Sequence, residues 1–145
     1  EILADIRLSP EGTIAPWIQV QPGWFEQLSP GQTVSATVTV TVPKYQAPGM
    51  YSGSLRVQSG SQNDGVLINV YVPESHAVLV GVSPASRGVA PGNTGVYAVD
   101  IQNEGNVTDS YALSLTGLPS SWEVTWSRMS VTLVPGPAYH SSPFA

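Results

Sequence analysis

Apolar and polar residues alternate with a period of two along several stretches of the chain. In residues 33–42 every second residue is valine or alanine, and serine or threonine stands between them. The same alternation covers residues 51–57 and, after a polar stretch at 59–65, residues 66–72. A period of two places successive side chains on opposite faces of a strand. The pattern therefore predicts strands with one buried face, the last two forming an antiparallel hairpin.

Shorter strands follow through the second half, at residues 77–82, 97–101, 111–115, 122–126 and 131–133, with turns rich in glycine, proline and asparagine between several of them. Strands at intervals of about 8–12 residues are typical of a Greek-key sandwich. The segment 73–76 (Pro-Glu-Ser-His) is polar and begins with proline, which indicates a linker. We therefore expect an all-β chain of two tandem immunoglobulin-like antiparallel β-sandwiches, at residues 1–73 and 76–145.

An internal repeat supports two modules. Shifted by 105 positions, residues 5–31 align without gaps with residues 110–136, and seven positions coincide, including Trp17 with Trp122 and Pro30-Gly31 with Pro135-Gly136. Such self-similarity indicates two copies of one module, so we expect both tryptophans to fill the same site in each core.

The two copies are cut at opposite ends. The first lacks strands on its N-terminal side, and the second lacks strands on its C-terminal side, because residues 137–145 (PAYHSSPFA) show no alternation. Each sandwich is therefore expected to be incomplete. Either the chain is a window from a longer tandem array, or neighbouring chains complete each other by strand addition.

Composition agrees with the all-β interpretation and excludes several functions. Of 145 residues, 14 are glycine and 13 are proline, too many helix breakers for long helices. Ten acidic and five basic residues give a net charge of −5 with no basic cluster, so we expect no nucleic-acid partner. No run approaches the roughly 18 apolar residues that span a bilayer, so we expect no membrane insertion. There is no cysteine, and hence no disulfide or thiolate site.

Chemistry-bearing residues are few and scattered. His76 and His140 are the only histidines, and the carboxylates fall on turns and strand edges without a nucleophile motif. We therefore predict no enzyme activity, no catalytic residues, no metal and no cofactor. Residues 100–109 hold five Asp, Asn and Glu side chains, a density that suits calcium, but we interpret them as a turn that satisfies its own backbone. Asn106 begins an N-glycosylation sequon, relevant in a glycosylating secretory route.

Two tryptophans lack an aromatic counterpart in the other copy, which favours a surface position. They are Trp24 and Trp126. Trp24 and Phe25 follow Pro22-Gly23 and are the best candidates for stacking on a sugar ring, although packing against a neighbouring domain is favoured. The candidate contact residues are therefore Trp24, Phe25 and Trp126. The expected partners are neighbouring domains of the same or adjacent chains, with surface glycans as the alternative.

Several stretches together resemble bacterial and archaeal extracellular immunoglobulin-like modules of the NEW3 type, associated with alpha-galactosidases, and the similar CARDB adhesion modules. The stretches are 82–84 (VSP), 89–92 (VAPG), 99–111 (VDIQNEGNVTDSY), 117–122 (GLPSSW) and 131–136 (VTLVPG), with 28–32 (LSPGQ) and 42–53 (VPKYQAPGMYSG) in the first copy. The resemblance implies an immunoglobulin-like fold, a prokaryotic extracellular or cell-surface location, and a role as spacer, stalk or binding accessory.

The resulting expectation is a non-catalytic structural or adhesive spacer module of a larger surface or secreted protein. Two alternatives stay open. One is a carbohydrate-binding accessory domain of a secreted glycosidase, and the other is a filament subunit completed by strand exchange between chains.

Overall fold

The computed structural model describes residues 1–137 and 140–144, with side chains described up to residue 137. The described residues form antiparallel strands, one short 3-10 turn at Ala15–Trp17 and no α-helix, which confirms the all-β fold class. The strands are β1 (Leu3–Gly12), β2 (Ile18–Gln21), β3 (Trp24–Leu28), β4 (Thr37–Val40), β5 (Gly49–Ser59), β6 (Gln62–Val72), β7 (Val78–Ser83), β8 (Tyr97–Asn103), β9 (Asp109–Ala112), β10 (Ser130–Leu133) and β11 (His140–Phe144).

The chain divides into two compact units, which we call unit 1 (Glu1–Pro73) and unit 2 (Glu74–Ala145). Unit 1 holds a four-stranded sheet in the order β3-β1-β5-β6 and a separate β2-β4 pair. Unit 2 holds a three-stranded sheet in the order β11-β8-β7 and a β9-β10 pair. Strand pairing is antiparallel throughout.

The longest ladder is the hairpin that the alternation in residues 51–72 predicted. β5 and β6 pair from Gly49 opposite Val72 to Ser59 opposite Gln62. The turn is tighter than the polar stretch 59–65 suggested, because only Gly60 and Ser61 lie between the paired ends. Gly60 has φ +56°, a left-handed conformation that glycine adopts without steric cost.

The core of unit 1 collects on one face of the four-stranded sheet. Its buried apolar side chains are Ile6, Ile14, Ile18, Leu55 and Val72. Gly53 makes room for this core, because a Cβ atom there would lie 2.7 Å from Ile14 Cγ1 and 2.9 Å from the Glu11 carbonyl oxygen. A larger residue at position 53 would push the Ile14 side chain out of its site.

The strand predicted at residues 33–42 is shorter and less buried than its alternation indicated. Only residues 37–40 form β4, and Val34 and Val38 are each 38% exposed. β4 pairs with β2 alone, so no described strand lies along its other edge. The valine face is apolar, as predicted, but it is only partly covered.

Unit 2 has a compact cluster and one uncovered strand. Val99, Ile101, Val131 and Leu133 are buried together, with Tyr111, Leu113 and Trp126 packed against them. β7, in contrast, is exposed along its whole length, and its apolar residues are between 47% and 54% exposed. These residues are Val78, Leu79, Val80 and Val82.

The backbone at the two repeated tryptophans is alike, but their burial is different. The Trp17 N–H donates to the Ile14 carbonyl at 2.9 Å, and the Trp122 N–H donates to the Pro119 carbonyl at 3.0 Å. Trp17 packs on Tyr51 with ring centroids 5.0 Å apart, whereas Trp122 is 65% exposed. The prediction of two equivalent core tryptophans was therefore wrong for Trp122, because the described part of unit 2 has no strand equivalent to β5, which carries Tyr51.

Candidate functional site

The sheet face opposite the core of unit 1 carries a row of polar and aromatic side chains. Trp24 on β3 lies opposite Arg7 on β1, Arg7 lies opposite Gln58 on β5, and Gln58 lies opposite Asn63 on β6. Residues directly opposite each other share a face, so these four form one line, here called the Trp24 row. With strands about 4.8 Å apart, the row is about 14 Å long.

The indole of Trp24 is held in place by Asp5. The Trp24 Nε1–H donates to Asp5 Oδ1 at 2.6 Å, and the Arg7 guanidinium donates to Asp5 Oδ2 at 3.2 Å. The indole hydrogen bond, followed by the Arg7 contacts, lowers the pKa of Asp5 below its usual value. Asp5 has φ +49°, a left-handed conformation that Asp tolerates, and it has no opposed partner in the β1-β3 ladder. The ring is thus fixed while 50% of Trp24 stays exposed.

A shallow polar depression of about 440 Å³ lies on the same sheet face. Glu11 and Arg56 form an ion pair across 3.4 Å within it, and Asn63 belongs both to the depression and to the Trp24 row. Carboxylate, guanidinium and amide groups offer hydrogen-bond donors and acceptors, and an exposed indole offers an apolar face. The lining residues are Glu11, Ser54, Arg56, Asn63, Asp64 and Gly65.

The predicted pair Trp24 and Phe25 is divided between two faces of β3. Phe25 lies opposite Ile6, which is buried, and is itself half-buried on the core side. Adjacent residues of a strand point in opposite directions, so Phe25 does not join Trp24 in one contact surface. Arg7, Gln58 and Asn63 do join it, and sequence reasoning missed them because the register of β1, β5 and β6 brings them together.

The third predicted contact residue, Trp126, is in unit 2 and is not a free surface residue. It is half-buried against the cluster of Val99, Ile101, Val131 and Leu133. The exposed tryptophan of unit 2 is Trp122 instead. We expected a tryptophan without an aromatic repeat counterpart to be exposed and a repeated tryptophan to be buried. Trp24 agrees with this expectation. In unit 2 it is reversed, because Trp126 is half-buried and Trp122 is exposed.

Within residues 100–109, the side chain of Asn103 satisfies backbone groups of the turn that follows β8. Asn103 is buried, and its Nδ2 donates to the carbonyl oxygens of Val107 at 2.7 Å and Leu133 at 2.9 Å. Its Oδ1 accepts the Gly105 N–H at 2.9 Å. Among the described residues no group of three or more His, Cys, Asp or Glu side chains is placed to hold a metal ion.

Asn106, the sequon asparagine, has a structural contact that competes with glycosylation. The residue is 8% exposed, and its Oδ1 accepts the Ser75 N–H at 2.7 Å while its own N–H donates to the Ser75 carbonyl at 2.9 Å. Attachment of a glycan requires an accessible side-chain amide. Glycosylation of Asn106 stays a prediction. In the folded chain the residue anchors the segment before β7.

That anchored segment, residues 74–77, contains His76 between two carboxylates. Its Nδ1 lies 2.8 Å from Asp109 Oδ2, and its Nε2 lies 2.8 Å from Glu74 Oε1. The hydrogen bond to Asp109, then the one to Glu74, raises the pKa of His76, and the same bond to His76 lowers the pKa of Asp109. We call these three residues the His76 cluster.

The His76 cluster attaches residues 74–77 to the start of β9, because His76 contacts Asp109. Both ring nitrogens face carboxylates, so neither contacts a hydroxyl nucleophile as a catalytic triad requires. Next to it, the Ala77 carbonyl accepts the Glu104 N–H at 2.9 Å, and Gly105 lies so close that a Cβ would stand 3.1 Å from His76 Cα. Residues 74–77 are thereby clamped to the turn at 104–106.

No helix among the described residues is long and apolar enough to cross a bilayer. No protein-family model matches the chain, and no curated protein matches it. Among solved structures, the chain is similar to a protein of unknown function from Porphyromonas gingivalis W83, at 17% sequence identity and a TM-score of 0.34. That similarity covers 97% of this chain and 68% of the other.

Proposed function

We propose that the chain is a non-catalytic structural or adhesive spacer segment of a larger prokaryotic surface or secreted protein. The observation that supports this role is the short connection between the two units. Val72 is the last ladder residue of unit 1, and Ser75 is the first residue of unit 2 that is hydrogen-bonded to the turn at 104–106. Only Pro73 and Glu74 separate them, so the connection spans about 11 Å at most.

The clamp is what makes the connection short. Without the hydrogen bonds from Asn106 and the close approach of Gly105, residues 74–77 would lengthen the free linker. A short linker led by proline has fewer conformations than a glycine- or serine-rich one. Such a linker suits a module that separates other domains by a defined distance, as the resemblance to extracellular immunoglobulin-like modules implies.

Because the chain has no cysteine, two introduced cysteines can carry spin labels without interference. We expect labels at Ser61→Cys and Asn93→Cys to give one narrow distance distribution in pulsed electron resonance. A four-residue Gly-Ser insertion between Pro73 and Glu74 should broaden it. The same insertion after Gly117, in a loop of unit 2, is the control and should leave the width unchanged. An equally broad distribution in all three proteins would contradict a spacer role.

A carbohydrate-binding accessory role is a second proposal, favoured by the Trp24 row and the polar depression on the same sheet face. The indole offers a flat apolar surface for one pyranose ring of an oligosaccharide. Asn63, at the other end of the row about 14 Å away, and Glu11 and Arg56 beside it offer polar groups for the hydroxyls of further rings. The hydrogen bond from Trp24 to Asp5 holds the ring, which reduces the entropy lost on binding.

Glycan-array binding tests this second role with a matched pair of variants. Trp24→Ala should lower the affinity for any bound glycan by about fivefold or more, because a well-placed aromatic contact contributes of order 1 kcal/mol or more. Trp122→Ala removes an exposed tryptophan of unit 2, outside the Trp24 row, and should change nothing. Binding that survives Trp24→Ala would exclude this site.

Self-assembly is a third proposal. The two units expose apolar strands, β4 in unit 1 and β7 in unit 2, and such edges favour a filament whose chains complete each other by strand exchange.

A further inference from the structure

Gly65 lies inside β6 at a position where the fold does not require a glycine. Its φ is not left-handed, and the β5-β6 ladder continues through Gly65 opposite Arg56 without a bulge. A Cβ atom at this position would lie 3.4 Å from the Leu55 carbonyl oxygen, which is an ordinary van der Waals distance. Gly53 on β5 is different, because a Cβ atom there would collide with Ile14. Since glycine weakens a strand, Gly65 needs a reason other than the fold.

The missing side chain opens the polar depression down to the backbone. Gly65 is two residues from Asn63, so both lie on the sheet face of the Trp24 row. Gly65 and its ladder partner Arg56 line the depression of about 440 Å³, a volume that suits a small ligand group. A glycine inside a strand often marks a close approach by a ligand or by another backbone. Among the described residues, only the paired strand β5 comes within 4 Å of its Cβ position, which leaves a ligand.

The distance from Trp24 to Gly65 determines the length of a ligand that contacts both. They lie on β3 and β6, three strand spacings apart, and Gly65 is two residues further along β6 than the end of the row. The separation is therefore about 16 Å. A pyranose ring with its hydroxyl groups is about 5 Å across, given bonds of about 1.5 Å. One ring cannot contact both residues, whereas a linear chain of three or four rings can.

The charges on this face favour a neutral ligand. The four strands of the sheet contain two basic residues, and both are paired with carboxylates. Arg7 Nη2 lies 3.0 Å from Asp5 Oδ1, and Arg56 Nη1 lies 3.4 Å from Glu11 Oε1. Asp64 adds a further carboxylate to the depression. An acidic sugar would lose hydration here, meet like charge and find both guanidinium groups already paired.

We propose that Gly65 is the floor of a second sugar subsite, and that the face binds a linear, neutral oligosaccharide of at least three rings. One ring stacks on Trp24, and another lies against the β6 backbone at Gly65, where Asn63 and Arg56 offer hydrogen bonds to its hydroxyls. This inference deepens the carbohydrate-binding role proposed above and rests on it.

Titration calorimetry of the whole chain tests the ligand class. The neutral probes are the linear hexasaccharides of β-1,4-glucan, β-1,4-mannan and β-1,4-xylan, and the acidic probe is hexagalacturonate. We expect at least one neutral hexasaccharide to bind. Its disaccharide should bind about tenfold more weakly or worse, because it reaches only one subsite. Hexagalacturonate should be weaker by a similar factor. A disaccharide of equal affinity would overturn the two subsites, and an equal affinity for hexagalacturonate would overturn the neutral class.

Gly65→Val tests the subsite itself. Its side chain should fill the depression and lower the affinity for the bound hexasaccharide by about tenfold or more, and Gly65→Ala should have a smaller effect. The urea midpoint should not fall, because valine favours strands. Gly81→Val is the matched control, since Gly81 lies in β7 of unit 2 and a Cβ atom there would also stand in open space. It should leave the affinity unchanged.

Nuclear magnetic resonance provides a second measurement that needs no variant. The Gly65 amide and the Trp24 indole signals should shift along one binding curve when the hexasaccharide is added. Binding that depends on Trp24 but spares the Gly65 signal, or that survives Gly65→Val, would overturn the Gly65 subsite and leave the carbohydrate role intact. If none of the four hexasaccharides binds, the carbohydrate role fails and this inference fails with it.

Discussion

The two units place repeated sequence in different surroundings. Trp17 and Trp122 close the same three-residue turn, yet Trp17 packs on Tyr51 and Trp122 is in solvent. The β1-β3 and β9-β10 pairs are also repeat-related and antiparallel, with registers that differ by one residue. The comparison shows that the local sequence determines the backbone conformation. The burial of a side chain depends instead on which strands are present to cover it.

The same contrast appears between strands within unit 2. β8 and β10 contribute four side chains to one buried cluster, while β7, which is equally apolar, is exposed on both faces. Burial in this unit is therefore concentrated where two sheets face each other. Four matched pairs of substitutions measure how far different parts of the two units differ in stability.

The pair Leu133→Ala and Leu79→Ala should show the largest difference in the free energy of unfolding. Leu133 is 1% exposed, so its truncation leaves a cavity and should destabilise unit 2 by about 3 kcal/mol. Leu79 is 54% exposed, and its truncation in dilute solution should change stability by less than about 0.5 kcal/mol. Hydrogen exchange of the β8 amides measures both. Equal losses would mean that β7 is covered in solution.

Asn103→Ala should have the next largest effect, because three backbone groups lose a buried partner. We expect a loss of about 2 kcal/mol, within the range for unsatisfied buried polar groups. Asn69→Ala is the matched control in unit 1. Asn69 is exposed and its side chain accepts a hydrogen bond from Ser52, so its removal should change the urea midpoint little. A small effect at Asn103 would contradict its role in holding the turn.

Trp17→Ala and Trp122→Ala test the comparison between the repeated tryptophans. Trp17 is half-buried against Tyr51, so we expect unit 1 to lose about 1–2 kcal/mol, less than a fully buried tryptophan would lose. Trp122→Ala should stay within about 0.5 kcal/mol. Chemical denaturation followed by circular dichroism measures both variants, and similar losses would show that the turns, not the packing, carry the stability.

Removing the imidazole of the His76 cluster should have the smallest effect on stability, and this effect should depend on pH. The raised pKa of His76 means that its contacts stabilise unit 2 below 6.5 and fade as pH rises through the folded pKa. The lowered pKa of Asp109 means that the pair is lost again as pH falls through a folded pKa below 3.8. The urea midpoints of native and His76→Gln protein should therefore differ most between these limits and converge at alkaline pH.

Asp5→Asn is the matched control in unit 1. The lowered pKa of Asp5 means that its contacts with Trp24 and Arg7 persist above 3.8 and disappear only in stronger acid. Its effect on the urea midpoint should therefore be the same at mildly acidic and alkaline pH. A His76→Gln effect with that same flat profile would show that the imidazole charge plays no part in the clamp.

Only part of the candidate site could be predicted from the sequence. Period two was sufficient to predict the β5-β6 hairpin. The absence of an aromatic repeat counterpart predicted the exposure of Trp24, but the same criterion failed for Trp126, which packs against the buried cluster. Asp5, Arg7 and Asn63 were not foreseen, because they are brought to Trp24 by pairing between strands far apart in the chain. β1 was missed for the same reason: few of its residues are apolar, and its central position comes from having partners on both sides.

By itself, the sequence determined the β5-β6 hairpin, the Pro-Gly turns and the repeat, since these are encoded in local residue patterns. Alternation set the faces of β5 and β6, and Pro-Gly pairs set turns in which Gly31 and Gly92 have φ of +78° and +82°. Only the tertiary structure decided which faces are covered. Trp17 is packed because β5, more than thirty residues away, brings Tyr51 to it, and Trp122 is exposed because no described strand does the same. Burial depends on distant partners, which no local pattern encodes.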